Sequence, residues 1–408
     1  MELDVAIIGA GAAGIAAARR LRDRGRRVLL IEAMRRVGGR AHTTMVEGMP
    51  LDLGCGWLHS AERNPLARFA EAEEVAIDRS DAAWGKQLHN LGFSAAEQHE
   101  AWAAFEMFER SLGENPPAND CAGDAIARGH PWRGFLDMLS GALNGAELDL
   151  VSARDFLAYD GHASQTNWRL PGGMGNLIAD AAAGLPLSLA TSVTAVDHGG
   201  ATVRIGTERG TIEAQAVIVA VPTDILARGD ITFTPAVDEH LHAAARLPPG
   251  RVDKLFLAFA DAEAIPAEAH LLGKPRSALT GSYYMRPFGR PVIECFFGGI
   301  AARAMADAGD AGRTAFAIEE LGVLLGGDFA RGLRPVAGTW WHAEPSIGGA
   351  YSHALPGHAD KRLVLANRAS DRLHFAGEAC SPQDYSTAHG AWESGIRAAN
   401  RVEAMLSR

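Results

Sequence analysis

Hydrophobic and polar positions follow more than one rhythm along this chain. Residues 5–8, Val5-Ala6-Ile7-Ile8, form a short continuous apolar run that predicts a strand buried on both faces. Gly9, Gly11 and Gly14 follow as G-x-G-x-x-G, and Ala-rich helical sequence continues to Arg24. A second strand is predicted over 27–31, ending at Glu32. From Pro65 to about Tyr159 the rhythm changes to three-to-four spacing. Ala101, Phe105, Phe108 and Leu112 show it first, then Phe135, Leu136, Leu139 and Leu143. Asn115-Pro116-Pro117 breaks that helical run, and its aromatic stripe reads as core. Trp168-Arg169-Leu170-Pro171-Gly172-Gly173-Met174 leads into a helix predicted from Asn176. Four strands then alternate over 191–196, 202–205, 211–214 and 217–221, with turns at Gly199-Gly200 and Arg209-Gly210, as a β-meander. An apolar strand over 251–259, a strand running into Phe375-Ala376-Gly377-Glu378 and a helix over 389–405 complete the pattern. Strands and helices mixed in this way predict an α/β protein.

The first unit carries chemistry as well as structure. Gly9 permits the tight turn, Gly11 lets backbone approach a pyrophosphate, and Gly14 lets helix pack closely on strand. Phosphates would then meet the helix N-terminus, with Ala13 in the same turn. Glu32 stands where an acid accepts hydrogen bonds from an adenosine ribose. Strand, glycines, helix, strand and acid in one unit predict a dinucleotide site. The alternative is a glycine-rich turn in an ordinary α/β protein. Arg36-Val37-Gly38-Gly39-Arg40 continues where an NAD domain would normally start another crossover helix. Paired glycines and a guanidinium suit a second approach to the pyrophosphate, which favours FAD over NAD.

With these residues in place, the E-A-x-x-R-V-G-G-R segment resembles the flavin-containing amine oxidases, a group that includes monoamine oxidases, polyamine oxidases and lysine-specific histone demethylases. Later motifs extend the likeness. Gly54-Cys55-Gly56-Trp57-Leu58-His59 with Asn64-Pro65 is similar to the polyamine-oxidase form, in which backbone at Gly56 and Trp57 passes close to the flavin and the His lies near the substrate amine. A buried structural histidine is the other reading of His59. The resemblance implies that Val193 meets adenine, that Lys254 holds a water against flavin N5, and that Trp341 and Tyr351 wall the amine pocket. A structural lysine at a strand mouth is the alternative for Lys254, because burying an ammonium is costly. Aromatic faces suit an amine, which joins an apolar body to a cation-prone head. Gly377 and Glu378 are implied near the ribityl chain. Thr387 and Ala388 open a final helix whose N–H groups would stabilise negative charge on reduced flavin.

Three departures from the family pattern bear on function. Met34 stands where the family usually has Arg near adenine. Ala350 replaces the Cys that bonds the flavin in monoamine oxidases, which implies non-covalent FAD. Thr387 replaces the second cage Tyr, as in the demethylase branch.

The resemblance implies a FAD-binding Rossmann-like domain of the amine oxidase (glutathione reductase-like) fold with an α+β substrate domain. The expected division is 1–75, 168–250 and 345–408 for the FAD-binding domain, and 76–167 and 251–344 for the substrate domain. The expected reaction is oxidation of a primary or secondary amine to an imine, with O₂ reduced to H₂O₂ and polyamine-like substrates favoured. A flavoprotein amine dehydrogenase, an L-amino-acid oxidase and a non-catalytic FAD-containing scaffold stay open.

Composition narrows partners more than chemistry. Lys and Arg total 39 against 49 Asp and Glu in 408 residues, a formal charge of −10. That disfavours nucleic acid and permits attraction of cationic substrates. Cys55, Cys121, Cys295 and Cys380 are scattered without metal spacing, so no metal is expected and free thiols are. No apolar run approaches the ~20 residues of a membrane helix, and no signal peptide fits before the first strand. The expectation is a soluble cytoplasmic enzyme without a membrane partner, with a homodimer left open.

Overall fold

A computed structural model describes residues 3–408. Its larger sheet has eight strands, and the predicted first strand, Leu3–Ile8, lies inside it. Leu3–Ile8 pairs in parallel with Val28–Ile31 on one side and with Gly210–Val219 on the other. Leu373–Phe375 joins Gly210–Val219 in parallel, so the two ends of the chain meet in one sheet. Val193–Asp197, Val203–Thr207 and Gly210–Val219 form the antiparallel meander.

The strands expected over 211–214 and 217–221 are one strand, Gly210–Val219. Its first half is solvent-facing and pairs antiparallel with Val203–Thr207. Its second half is buried on both faces between Leu3–Ile8 and Leu373–Phe375. The change from alternation to continuous apolar sequence marks a change of environment rather than a break.

Two glycines set how closely helices approach this sheet. A Cβ on Gly14 would stand 1.9 Å from the Gly9 carbonyl oxygen, so only Gly lets the helix Ala12–Arg22 start against the strand. A Cβ on Gly395 would stand 2.0 Å from the Ala13 carbonyl oxygen, which brings the final helix, Ala388–Leu406, onto the first. That final helix starts one residue before the predicted 389. The helix expected from Asn176 starts at Met174, because Asp52 accepts the N–H groups of Met174 and Gly175.

A second sheet runs in the order Ala269–Leu272, Ser282–Met285, Val292–Gly298, Val252–Ala258, Arg334–Gly338, all antiparallel. Side chains alternate across it. Leu255, Leu257, Cys295, Phe297 and Leu271 face a core shared with the helix Ile300–Leu325. The opposite face is left for a cavity.

The helical region contains Ala95–Glu114, Arg133–Asn144 and Ala153–Asp160. Ser94 and Glu97 make a reciprocal capping box at the first, which ends before Asn115-Pro116-Pro117. The aromatic stripe expected to be core is divided. Phe108 and Leu112 are buried in it, whereas Phe105 and Leu143 lie on the cavity wall. No helix among the described residues is long and apolar enough to cross a membrane. All four cysteines are free.

Candidate active site

One cavity of about 1200 Å³ reaches from the glycine turn to the free face of the second sheet. That exceeds the ~300–1,000 Å³ of a single drug-sized ligand pocket, and leaves room for a dinucleotide and a second molecule.

At the glycine end the wall is backbone. Gly9 turns with φ +101°, and Gly11 caps the helix Ala12–Arg22 without any side chain taking its N–H groups. The first turn of that helix carries no acid, so its positive end is open to an anion. A Cβ on Gly11 would meet nothing nearer than the Gly38 carbonyl oxygen at 3.9 Å, so the space beside it is free for a ligand. Gly38 and Gly39, both at positive φ, close the cradle opposite Gly11. Glu32 is buried on the wall and accepts the Ala10 N–H at 2.7 Å and the Met34 N–H at 2.8 Å. Burial pushes its carboxyl above the usual range. These groups fit a dinucleotide pyrophosphate and ribose.

Other predicted contacts at this end divide. Val193, Met34 and Gly377 line the cavity. Gly14 does not, and serves helix–strand contact instead. Arg36 lies off the wall and braces the glycine loop through the Gly39 and Val37 carbonyls. Arg40 lies on the wall, bonded to the Ala350 carbonyl and 3.1 Å from Glu378. Glu378 also accepts the N–H groups of Ser352 and Ser386 and the Ser352 hydroxyl. Burial alone would push Glu378 up, but Arg40, Arg362 and these hydrogen bonds hold it below the ordinary value.

The middle of the cavity gathers residues from distant sequence. Gly56, Trp57, His59, Lys254, Trp341, Tyr351, Thr387 and Ala388 all line it. Thr387 caps the final helix by accepting the Gly390 N–H at 3.0 Å, which leaves the Ala388 N–H without an intrahelical partner at the wall. Tyr351 donates its hydroxyl to the Ala142 carbonyl, which fixes its ring, and burial pushes its phenol well up. His59 is held by Asn167, Nδ1 to Oδ1 at 2.8 Å, so its partner is a side-chain amide and not a backbone carbonyl. Burial lowers His59 to about 4, leaving it neutral at pH 7.

A scan against family models matches residues 12–403 to the flavin containing amine oxidoreductases. The chain belongs to that family. Among curated relatives, polyamine oxidase 3 of Oryza sativa subsp. japonica is 29% identical over 96% of this chain and 87% of its own. Polyamine oxidase 2 of Arabidopsis thaliana is 28% identical over 97% and 87%. Among solved structures, cyclohexylamine oxidase from Brevibacterium oxydans superposes with TM-score 0.83 at 21% identity over the whole of both chains. Putrescine oxidase bound to putrescine gives 0.81 at 20% identity over 99% of each. The protein is therefore an oxidoreductase for amine donors with FAD as cofactor, in the amine oxidase α/β fold.

At the free face of the second sheet, sequence reading was least complete. Lys254 is not isolated: its ammonium lies 2.7 Å from Glu294 and 3.0 Å from the Asp52 carbonyl. Register explains the contact. Lys254 faces Phe296 and Ser282 across the sheet, and Phe256 faces Glu294 and Tyr284, all on the cavity side. Period two along Val252–Ala258 carries the signal for which residues share that face, but not their partners.

The helices add three further stripes. Gln98, Trp102, Phe105 and Glu109 lie on one face of Ala95–Glu114 and line the cavity, as do Met138, Leu139, Ala142 and Leu143 on Arg133–Asn144. Phe156, Tyr159 and Asp160 continue the wall from Ala153–Asp160. Glu109 is raised to about 7 by burial and by Asp160 beside it. Behind the wall, Arg362 forms a two-pronged pair with Asp155 at 2.6 and 2.8 Å, both side chains 1% exposed. Arg362 also reaches Ser352 and stacks on the Tyr385 ring at 3.7 Å. Nothing in the sequence links two residues 207 positions apart.

Proposed function

We propose that the chain is an amine oxidase holding FAD non-covalently, with O₂ as electron acceptor. The supporting observation is that Lys254, Trp341, Tyr351, His59 and Thr387 open on the same cavity as the Gly9–Gly11–Gly38–Gly39 cradle. Ala350 on the cavity wall offers no thiol for attachment. Cys55, also on the wall, is pushed up to about 12 by burial and stays a neutral thiol. On this reading Gly11 and the first helix hold the pyrophosphate, Glu32 the ribose, and the N-terminus of Ala388–Leu406 the flavin pyrimidine edge. FAD-binding sequence then comprises 1–75, 168–250 and 345–408, with 76–167 and 251–344 shaping the amine site.

The chemistry supplied by bound FAD is two-electron acceptance from the amine Cα–H bond, with O₂ reduced to H₂O₂ and the imine hydrolysed by water. The protein orients the amine, and the cations on the wall are each engaged by an acceptor of the protein. Neutral His59 accepts a hydrogen bond without repelling a cation, and the Trp341 and Tyr351 faces attract one. Two arginines on the wall are unsuited to clamp a substrate carboxylate. Arg169 is engaged by Asp78 and Glu268 and covered by Trp57, Tyr284 and Phe288. Arg290 is spent on the Pro50 and Pro171 carbonyls. This argues for amines over amino acids.

The substrate reading is a di- or polyamine, because Glu109 and Asp160 place carboxyl groups on the wall beyond the aromatic stripe. An apolar monoamine is the second reading, favoured by Trp102, Phe105, Met138 and Leu139. The test is an anaerobic titration of the yellow protein with both classes of amine, followed by air. Bleaching by a diamine, with colour and H₂O₂ on aeration and FAD released by acid, is the expected result. Higher kcat/KM for benzylamine-like compounds would move the assignment to monoamines. Bleaching by NADH and by no amine would overturn it.

A further inference from the structure

The cavity face of the second sheet holds an ion pair that amine oxidation does not require. We propose that Glu294 is a positioning residue for Lys254: it fixes the ammonium on the wall facing the cofactor and cancels its charge there. This rests on the reading of the cavity as a flavin amine site.

The geometry is specific. Lys254 and Glu294 are on neighbouring antiparallel strands, with Phe296 directly across from Lys254 and Phe256 directly across from Glu294. The pair is thus diagonal, within reach of long side chains, and flanked by two aromatic rings. Low-dielectric surroundings strengthen a 2.7 Å contact, and make either partner costly alone. Of the three ammonium donors, the Asp52 carbonyl takes one, and the Glu294 carboxylate lies 2.7 Å away as the ion-pair partner. The ammonium stays on the cavity wall with donors to spare. Two fixed partners, one carboxylate and one carbonyl, convert a flexible four-carbon stem into an aimed donor.

Other charged groups around Lys254 do not replace Glu294. The Asp52 carboxylate is occupied by Thr43 at 2.5 Å and by the Met174 and Gly175 N–H groups. Arg40 is committed to Ala350 and Glu378, and Arg290 to two carbonyls. Arg313 reaches the Lys254 backbone carbonyl from the far side of the sheet, and Asp253 points to Thr339 and Trp341. The Cys55 thiol is neutral. Among the described residues, Glu294 is the carboxylate in ion-pair contact with Lys254.

The charge argument gives signs that a merely structural contact would not. The pair is neutral in the wild type, positive in Glu294→Gln, negative in Lys254→Met and neutral again in the double variant. A positive charge beside the cofactor favours its taking up electrons, and a negative one opposes it. In the FAD-loaded protein the midpoint potential should rise in Glu294→Gln, fall in Lys254→Met, and return close to wild type when both are combined. Amine-driven bleaching should slow at least fivefold in Glu294→Gln despite the raised potential, because the ammonium is no longer held in place, with partial rescue by Glu294→Asp.

A second readout needs no cofactor. The chain has four lysines, Lys86, Lys254, Lys274 and Lys361, so isotope-labelled lysine gives a countable NMR spectrum, with Lys254 assigned by its loss in Lys254→Met. In apoprotein the Lys254 ammonium should give a shifted, exchange-protected signal that collapses toward free lysine in Glu294→Gln. Should Glu294→Gln fail to fold, the potential of Lys254→Met and the Lys254 signal in Glu294→Asp carry the same test. An unchanged Lys254 signal and an unchanged potential in Glu294→Gln would overturn the proposal. A protein that takes up no FAD would overturn the flavin reading instead, with the apoprotein spectrum still deciding whether Glu294 fixes Lys254.

Discussion

At the end of the cavity proposed for the cofactor the protein presents backbone, from Gly9, Gly11, Gly38, Gly39 and the first turn of Ala388–Leu406. At the end proposed for the amine it presents side chains, from alternate positions of four strands and one face of each of three helices. The ligands differ in the same way. A pyrophosphate is recognised by N–H groups and a helix end, which any sequence supplies if glycines let it come close. An amine with an apolar body is recognised by shape and charge, which only particular side chains supply. The first kind of site constrains a few neighbouring residues tightly. The second spreads its requirements over the whole fold.

The largest expected effect comes from cutting the tie between these two regions. Asp155 belongs to the helix that supplies Phe156 and Tyr159 to the amine wall, and Arg362 carries its grip to Ser352, beside Tyr351 and Glu378. Asp155→Ala leaves a fully buried guanidinium without its partner, which costs about 3–5 kcal/mol. Replacing both, Asp155→Leu with Arg362→Met, should cost less than the single change, because no charge stays buried. Denaturant melts of the three proteins test this. A loss below about 1 kcal/mol in Asp155→Ala would show that the two regions stand independently.

The same contrast explains what was legible in the sequence. Gly9, Gly11, Glu32, Gly38 and Gly39, expected to hold a dinucleotide, line one cavity, and backbone recognition imposes short, fixed spacing that a sequence displays. Lys254, His59, Tyr351, Trp341 and Thr387 were placed by motif, and they do share one cavity. Their partners were not legible. Glu294, Asn167 and Ala142 reach them through sheet register and helix docking, and register has no local signature. Arg36, expected among the cofactor contacts, braces its own loop, because a guanidinium beside two glycines can face either a phosphate or its own loop. The aromatic stripe was half misread, because three-to-four spacing marks a buried face without saying whether the partner is protein or ligand.

A smaller effect separates the regions by pH. His353 is buried in the seam beside Arg362 and Glu378, and burial lowers it to about 4 from 6.5. The unfolded chain therefore binds more protons than the folded one between pH 6.5 and 4. Stability rises with pH across that window, and its loss on acidification reaches about 3 kcal/mol at pH 4 from this group. His353→Asn removes the term, so its melts should approach those of the wild type, or exceed them, as pH falls from 7 to 4. Asp253 runs oppositely, since burial raises it to about 6, but it is common to both proteins and cancels in the difference. Parallel stability curves for the two proteins would remove His353 as a source of acid sensitivity.

The smallest effects are the sharpest test of the comparison, because the two ends should fail in opposite ways. Gly11→Ala adds a methyl where φ is −80° and no protein atom lies nearer than 3.9 Å, so the fold has room for it. On the proposed reading, that room is where the pyrophosphate comes closest. The variant should keep the apoprotein melting temperature and bind FAD at least tenfold more weakly, about 1.4 kcal/mol. Phe105→Ala removes a ring from the amine wall, away from the cradle. It should keep FAD affinity and raise KM for an amine with an apolar body about tenfold, with kcat changed less, since a wall acts through binding. Exchanged signatures, with FAD affinity following Phe105 or amine KM following Gly11 at saturating FAD, would mean that the cavity does not divide into a backbone end and a side-chain end.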